Sequence, residues 1–217
     1  SVRRIEAFYD DILRHDVRPL TLGGDHTLSL PILRAMAKKY GPLALLHIDA
    51  HADINSHMFG EEIAHGTPFR RAFEEELLDA DQVFQIGLRG TGYTAEDFDW
   101  ASERGFQVVQ AEQLWHQSAA PLMDQIRQQI GARPVYLSFD IDSLDPAYAP
   151  GTGTPEIGGL TSIQALEIIR GCRGLSLVGA DLVEVSPPYD TNGNTALLAA
   201  NLLFEMLCVL PGVEYRD

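Results

Sequence analysis

The residues best suited to chemistry lie in two short stretches, LLHIDAHADIN at 45–55 and VYLSFDIDSLDP at 135–146. Each carries acids or histidines spaced two residues apart behind an apolar run. Residues i, i+2 and i+4 share one face of a strand, so Asp49, His51 and Asp53 converge where the chain stays extended on leaving a sheet. Asp140 and Asp142 do likewise. Bare carboxylates gathered at the end of a buried strand repel one another and are costly to desolvate, and bound cations remove both penalties. With His26 as a further nitrogen donor, the set comprises four carboxylates and two imidazoles without sulfur. That chemistry disfavours a structural zinc site and suits manganese or a similar hard ion. Two such ions about 3.5 Å apart can share a water and lower its pKa, so that hydroxide is available near neutral pH. The expected product is a water-derived nucleophile.

Such residues need a frame that delivers them to one place. Apolar periodicity predicts helices over 2–15, 28–39, 67–78, 95–104, 119–130, 161–170 and 194–209, with the second starting near Thr27. Strands are predicted over 18–22, 43–49, 82–87, 106–110, 134–140 and 175–184, and polar loops over 50–65 and 141–159. Regular alternation of this kind, with strands apolar on both faces, predicts an α/β fold: a three-layer open, mostly parallel sheet with helices on both faces. Ligands bind such sheets at the carboxyl ends of the strands. Asp25 and His26 follow strand 18–22, Asp49 through Asp53 follow 43–49, Asp140 and Asp142 follow 134–140, and Glu184 ends 175–184. Four strands therefore aim their chemistry at one rim.

Composition narrows the function classes. The 217 residues, 45% hydrophobic and 22% charged, show no linker, and one domain over 1–217 is expected. A formal net charge of −15 suits neither nucleic acid nor an anionic membrane and welcomes small cations. No run approaches the ~20 apolar residues of a membrane span and no signal-peptide pattern opens the sequence, so a cytoplasmic protein is expected. Cys172 and Cys208 sit in helix-like apolar surroundings and read as buried thiols. His47 reads as a buried, hydrogen-bonded histidine, and Asp145 in SLDPAY as a turn former. His15, His57 and His116 lack partners in sequence and are expected on the surface.

The motifs GGDHT at 23–27, DAHADIN at 49–55, HGTPF at 65–69, SFDIDSLDPAYAPGTGTPE at 138–156 and VEVSPPYD at 183–190 together resemble the ureohydrolase (arginase/agmatinase) family, agmatinase branch. The resemblance implies an arginase-like fold and a binuclear manganese enzyme, with two Mn2+ per chain, that hydrolyses a guanidino group to urea and an amine. By the same resemblance His26, Asp49, Asp53 and Asp140 hold one metal. Asp49, His51, Asp140 and Asp142 hold the other, with Asp49 and Asp140 bridging. His65 matches the family's proton-shuttling histidine, and imidazole is the side chain whose charge changes near neutral pH. Glu184 matches the glutamate that binds the guanidinium, and a carboxylate there positions the reacting carbon. Asp142 joins His65 and Glu184 in the catalytic set.

Asn55, Met58 and the GTGTP loop are expected to line the substrate's mouth. The tail beyond the guanidinium is less constrained. Glu61 and Glu62, if they face inward, favour the ammonium of agmatine, giving putrescine and urea. The rival is 4-guanidinobutanoate, with 3-guanidinopropanoate as a shorter guanidino acid. Two readings of other kinds stand beside these: a noncatalytic metal-binding partner of a longer homologue, and a binuclear amide hydrolase of related fold, which the context of Glu184 disfavours. Family members are longer than this chain and begin with a strand ahead of the part matching Ser1, so the sheet is expected to lack that N-terminal strand. Homo-oligomerisation, as trimer or hexamer, is implied by the resemblance alone.

Overall fold

The computed structural model describes residues 1–90 and 99–214. Six strands, β1 (Leu20–Leu22), β2 (Leu43–Ile48), β3 (Leu78–Leu88), β4 (Gln107–Gln110), β5 (Pro134–Asp140) and β6 (Ser176–Val183), form one sheet in the order β1-β6-β5-β2-β3-β4. Every pairing is parallel. The described helices are α1 (Val2–Ile12), α2 (Ser29–Tyr40), α3 (Pro68–Glu74), α4 (Ala120–Ile130), α5 (Ser162–Gly171) and α6 (Asn194–Cys208).

Alternation along the central strands divides the core into two layers. Ala44, Leu46 and Ile48 of β2 and Val135, Leu137 and Phe139 of β5 pack with α4, α5 and α6. Leu43, Leu45 and Tyr136 point the other way, into a cluster with α1, α2 and α3. Each fully buried large apolar side chain of this kind contributes about 1.5–3 kcal/mol. The same alternation sends His47, Ser138 and Asp181, all fully buried, to the α1–α3 side.

Strand order also sets the place of the site. From β2 the chain winds outward through β3 and β4, then returns on the opposite side of β2 as β5. The loops leaving β2 and β5 therefore diverge and open a crevice between neighbouring strands, the switch point at which open α/β sheets bind ligands.

Several boundaries differ from expectation for local reasons. The helix expected over 67–78 stops at Glu74. Glu74, Glu75 and Glu76 would place three like charges at the negative end of the helix, and the backbone turns at Glu76 (φ 57°) instead. Leu78, expected to end that helix, and residues 79–81, assigned to no element from sequence, join β3, where Leu78 pairs with Leu43. The helix expected from Thr27 begins as a 3-10 turn, His26–Leu28, because Asp25 accepts a hydrogen bond from the Thr27 amide. Helix α1 ends at Ile12, short of residue 15. Residues 95–98 of the helix expected over 95–104 lie outside the described residues, and Ser102–Arg104 form a 3-10 turn. At α5, Thr161 and Gln164 close a reciprocal capping box.

Cys172 is buried, its thiol pushed up to about 12 by desolvation. Cys208 corrects the expectation of a second buried thiol. It is only half-buried, because Leu202, Met206 and Val209 define the inward face and residue 208 falls to its flank. No disulfide joins the two.

Candidate metal centre

Three strand ends bring the predicted donors together. His26 lies in the 3-10 turn after β1, Asp49 follows β2, Asp140 ends β5 and Asp142 lies in the 3-10 turn Ile141–Ser143. His26 Nδ1 stands 2.9 Å from Asp53 Oδ2, 3.2 Å from Asp49 Oδ2 and 3.3 Å from Asp140 Oδ2. His51 Nδ1 stands 3.1 Å from Asp142 Oδ2 and 3.6 Å from Asp49 Oδ1. Asp49 thus turns one oxygen toward each histidine, the disposition a bridging ligand requires. Asp140 meets His26 through Oδ2, while its Oδ1 accepts the Asp142 amide at 2.8 Å.

The tightest donor groupings are His26, His47, Asp49 and Asp53, and then Asp49, His51 and Asp142. His47 enters the first where sequence reasoning had placed Asp140, yet its ring is already engaged. The Gln85 amide donates to Ala52 O at 2.8 Å and to His47 Nδ1 at 3.0 Å, so the His47 proton lies on Nε2 and is donated to Asp49 Oδ2 at 2.7 Å. His47 orients a ligand, in keeping with its expected buried, hydrogen-bonded role.

A cation fits the centre on one observation above others. His26 Nδ1 is buried without a hydrogen-bond partner, although three carboxylate oxygens surround it. Its other nitrogen explains which way the lone pair points. Asp181 accepts hydroxyl protons from Ser29, Tyr136 and Ser138, each at 2.7 Å. Ser138, having given its proton to Asp181, accepts from His26 Nε2 at 2.8 Å. That chain leaves Nδ1 deprotonated and aimed at the carboxylates, as a metal ligand must be.

Without cations the cluster holds protons instead. Burial disfavours the charged form of His26, but the carboxylates of Asp140, Asp49 and Asp53 around Nδ1 outweigh it and raise its pKa well above normal. Burial likewise opposes the His51 cation, and Asp142 and Asp49 raise it to about 11. Asp140 is raised well above the carboxylate range by burial and then by Asp142 and Asp49. Asp142 is raised by burial and Asp49. Asp49 goes the other way: burial opposes its ionisation, but the histidines around it, His47 foremost, hold it well below the carboxylate range.

A cavity of about 650 Å³ opens above these residues, lined by His51, Asp53, Asp140, Asp142, His65 and Glu184. Glu184 sits just past β6 with φ 65°, and its Oε1 accepts the His26 amide at 2.7 Å. Burial raises its pKa, partly offset by that amide. Asn55 and Met58 line the wall, as expected, but the Asn55 side-chain amide also donates to Gly66 O at 3.0 Å, so it staples its own loop. Thr154 of the GTGTP loop donates to Asp142 Oδ2 at 3.0 Å. Glu61 and Glu62 are exposed, as are His15, His57 and His116. Asp145 forms its turn with Ala147 and also anchors the amides of Gly158 and Gly159.

Sequence reasoning missed Arg89. It lies just past β3, lines the cavity and donates to the main-chain oxygens of Gly87, Asp142, Ser143, Leu144, Glu156 and Ile157. It therefore ties the loop after β5 to the lip of the cavity. Asp181 was also missed, although an acid within the apolar run of β6 is a signal that it has buried partners. Ser138 carried a positional signal, lying two residues before Asp140 and hence on the same face. Thr154 belongs to the GTGTP loop that was expected at the mouth, whereas Gln85 and Glu156, whose carboxylate lies 3.8 Å from His51 Nε2, were not singled out.

Known proteins resemble this chain in sequence and fold. The pattern of the Arginase family matches residues 1–208. The chain is 70% identical over 216 residues to a guanidinobutyrase of Pseudomonas aeruginosa, covering 100% of this chain and 68% of the relative. It is 61% identical to a mitochondrial agmatinase of Gallus gallus, covering 99% of this chain and 63% of the relative. Among solved structures, the proclavaminate amidino hydrolase of Streptomyces clavuligerus superposes with a TM-score of 0.88 at 42% identity, over 94% of this chain and 69% of that one. This chain thus spans roughly two thirds of the length of its relatives. It belongs to the arginase family.

Proposed function

We propose that this chain, as a single domain, forms the catalytic part of a binuclear-metal ureohydrolase that converts a linear guanidino compound to urea and an amine. The observation that carries this reading is the convergence on one cavity of the donor residues, Glu184 and His65. His26, Asp49, Asp53 and Asp140 would hold one cation and Asp49, His51, Asp140 and Asp142 the other. The oxygen-rich, sulfur-free donor set favours manganese. Bound there, two divalent cations would acidify a water enough to supply hydroxide near neutral pH.

The chain's own residues would do the rest. The His26 amide fixes Glu184 through Oε1 and leaves Oε2 to accept guanidinium N–H groups. Because burial makes the Glu184 charge costly, a guanidinium cation is a better partner for it than water. The central carbon is then positioned for attack, and as its C–O bond forms and a C–N bond breaks, the departing nitrogen needs a proton. His65, on the cavity wall, would deliver it, a role that contributes typically 10²–10⁴-fold.

For the tail, 4-guanidinobutanoate replaces agmatine as the leading substrate. Identity of 70% with a guanidinobutyrase supports it, and the exposure of Glu61 and Glu62 removes the earlier ground for an ammonium. Agmatine is the second reading. It is favoured by Arg89, the one lysine or arginine lining the cavity among the described residues, whose N–H groups are directed at main-chain oxygens and not at a carboxylate. A homo-oligomeric, cytoplasmic enzyme completes the proposal. Among the described residues no helix is long and apolar enough to cross a membrane.

The test is urea release from 4-guanidinobutanoate, agmatine and 3-guanidinopropanoate with added manganese, repeated on Asp140→Ala. The expected result is turnover of at least one compound, greatest for the four-carbon acid, and none in the variant. Activity that survives Asp140→Ala or full metal removal would sink the reading. Protein that binds two manganese ions and hydrolyses nothing would point to the noncatalytic partner.

A further inference from the structure

Phe59 breaks two local rules at once. The residue is 85% exposed, and its backbone lies in the left-handed region, with φ 55°. Met58 and Glu61 form an isolated antiparallel bridge, exchanging N–H···O bonds of 2.9 and 3.0 Å. Phe59 and Gly60, with φ of 55° and 81°, are therefore the two central residues of a tight hairpin turn. Turns with both central φ values positive favour Asn-Gly, and a bulky residue in the first position is disfavoured. Among the described residues five non-glycines have positive φ. Two of them, Asp53 and Glu184, line the cavity, whereas Glu76 and His116 lie in exposed turns and are not among its lining residues. Strained residues gather where the surrounding structure holds them for a purpose.

What the turn holds in place is visible. The Phe59 ring lies 5.8 Å from the His65 imidazole, centroid to centroid, tilted by 46°. Beside it Met58 lines the cavity and packs on Gly66, where an added Cβ would fall 2.5 Å from Met58 Cε. The loop ends are fastened by the Asn55 amide N–H and side chain, both donating to Gly66 O at 3.0 Å. Residues 55 and 66 are thus tied, and the hairpin lies against the His65–Gly66 step.

We propose that Phe59 is a positioning residue: the 58–61 hairpin sets its ring against His65 at the cavity mouth, fixing the imidazole for proton transfer and shielding it from water. The role rests on the proposed function, in which His65 protonates the departing amine. Orientation of an acid is felt in the chemical step more than in binding, so the loss should appear in kcat more than in KM.

The experiment compares manganese-loaded wild type with Phe59→Asn and Phe59→Tyr. Asparagine suits the turn, so Phe59→Asn should melt at or above the wild-type temperature while losing about 10-fold or more in kcat, a fraction of what a general acid contributes. Phe59→Tyr keeps the ring and should stay within about threefold of wild type, a margin well inside that loss. An NMR readout is independent of turnover: in protein loaded with diamagnetic magnesium in place of manganese, whose unpaired electrons would broaden these signals away, the His65 ring protons should carry an aromatic ring-current shift that Phe59→Asn abolishes and Phe59→Tyr retains. Wild-type kcat in Phe59→Asn, or an unchanged His65 shift, would overturn the proposal. Wild-type protein inert toward every guanidino compound would instead sink the function and the proton-transfer role with it, while the shift would still report whether the ring contact exists.

Discussion

Ser138→Ala offers a sharp trial of the reasoning, because it removes a single hydroxyl that touches no metal donor atom. Ser138 Oγ receives the His26 Nε2 proton at 2.8 Å and gives its own to Asp181 at 2.7 Å. In the alanine variant a buried imidazole N–H loses its acceptor, which costs about 1–3 kcal/mol of fold stability. It also frees the His26 ring to rotate or change tautomer, and loss of such an outer partner lowers metal affinity about 10–100-fold. That range corresponds to about 1.4–2.8 kcal/mol, the same size as the unpaired donor, so the two estimates agree. The loss should fall on one ion alone. His51, the histidine facing the other ion, is oriented by Asp142, Asp49 and Glu156 and makes no contact with Ser138. Tyr136→Phe is the matched control. Burial and Asp181 hold that phenol well above its ordinary pKa, so it stays a donor to Asp181. Its removal should cost about 1 kcal/mol of stability and leave both ions bound as before. Calorimetric titration with manganese and chemical denaturation of the metal-free forms would measure both quantities. Equal weakening of the two ions in Ser138→Ala, or equal effects of the two substitutions on metal affinity, would refute the proposed chain from Asp181 to His26.

Removing the metals should invert the dependence of stability on pH. A histidine whose folded pKa is raised adds stability that is full below about 6.5. For His51 that contribution is lost as pH climbs toward about 11, and His26 behaves in the same direction. The raised carboxyls of Asp140 and Asp142 hold protons more tightly folded than unfolded, so their ionisation also costs stability as pH rises above about 4. Metal-free protein should therefore melt progressively lower from pH 6.5 to 9.5, whereas the gain in Tm on adding manganese should grow over the same range. A metal-free Tm that is flat or rising there would contradict the protonated cluster. Arg89→Lys keeps the charge but not the planar fork that reaches oxygens of both the 142–144 and 156–157 segments. It should destabilise the protein by about 2–3 kcal/mol in urea denaturation and raise KM more than it lowers kcat. Stability within 0.5 kcal/mol of wild type, the scatter common to ordinary surface changes, would show that the charge alone suffices.

The frame was legible because parallel α/β architecture writes itself into local sequence. A strand such as LALLHI, buried along its whole length, is apolar at every position but His47, and helices such as SIQALEIIRG carry their own caps. Boundaries were legible only where the punctuation was local. Pro134 and Asp140 marked β5 to the residue, whereas α3 ended early through charge repulsion and β3 began early through pairing with Leu43. Pairing between strands is a long-range fact that no window of sequence contains.

The site divides along the same line. Asp49 and Asp140, at the ends of β2 and β5, could be read from spacing, because a strand carries both the position and the direction. His51 and Asp142 join them through a bend after β2 and a 3-10 turn after β5, where the extended chain that the spacing argument assumed has already ended. The residues that hold them in place could not. Asp181 acts through Ser138 on His26, which joins β6, β5 and the turn after β1. Gln85 acts through His47 on Asp49, which joins β3 to β2. Each of those chains crosses between strands whose adjacency follows from the order β1-β6-β5-β2-β3-β4. The donors are thus specified by local pattern and their orientation by topology. Substitutions in Asp181 or Gln85 should accordingly disturb metal binding while leaving every donor residue intact.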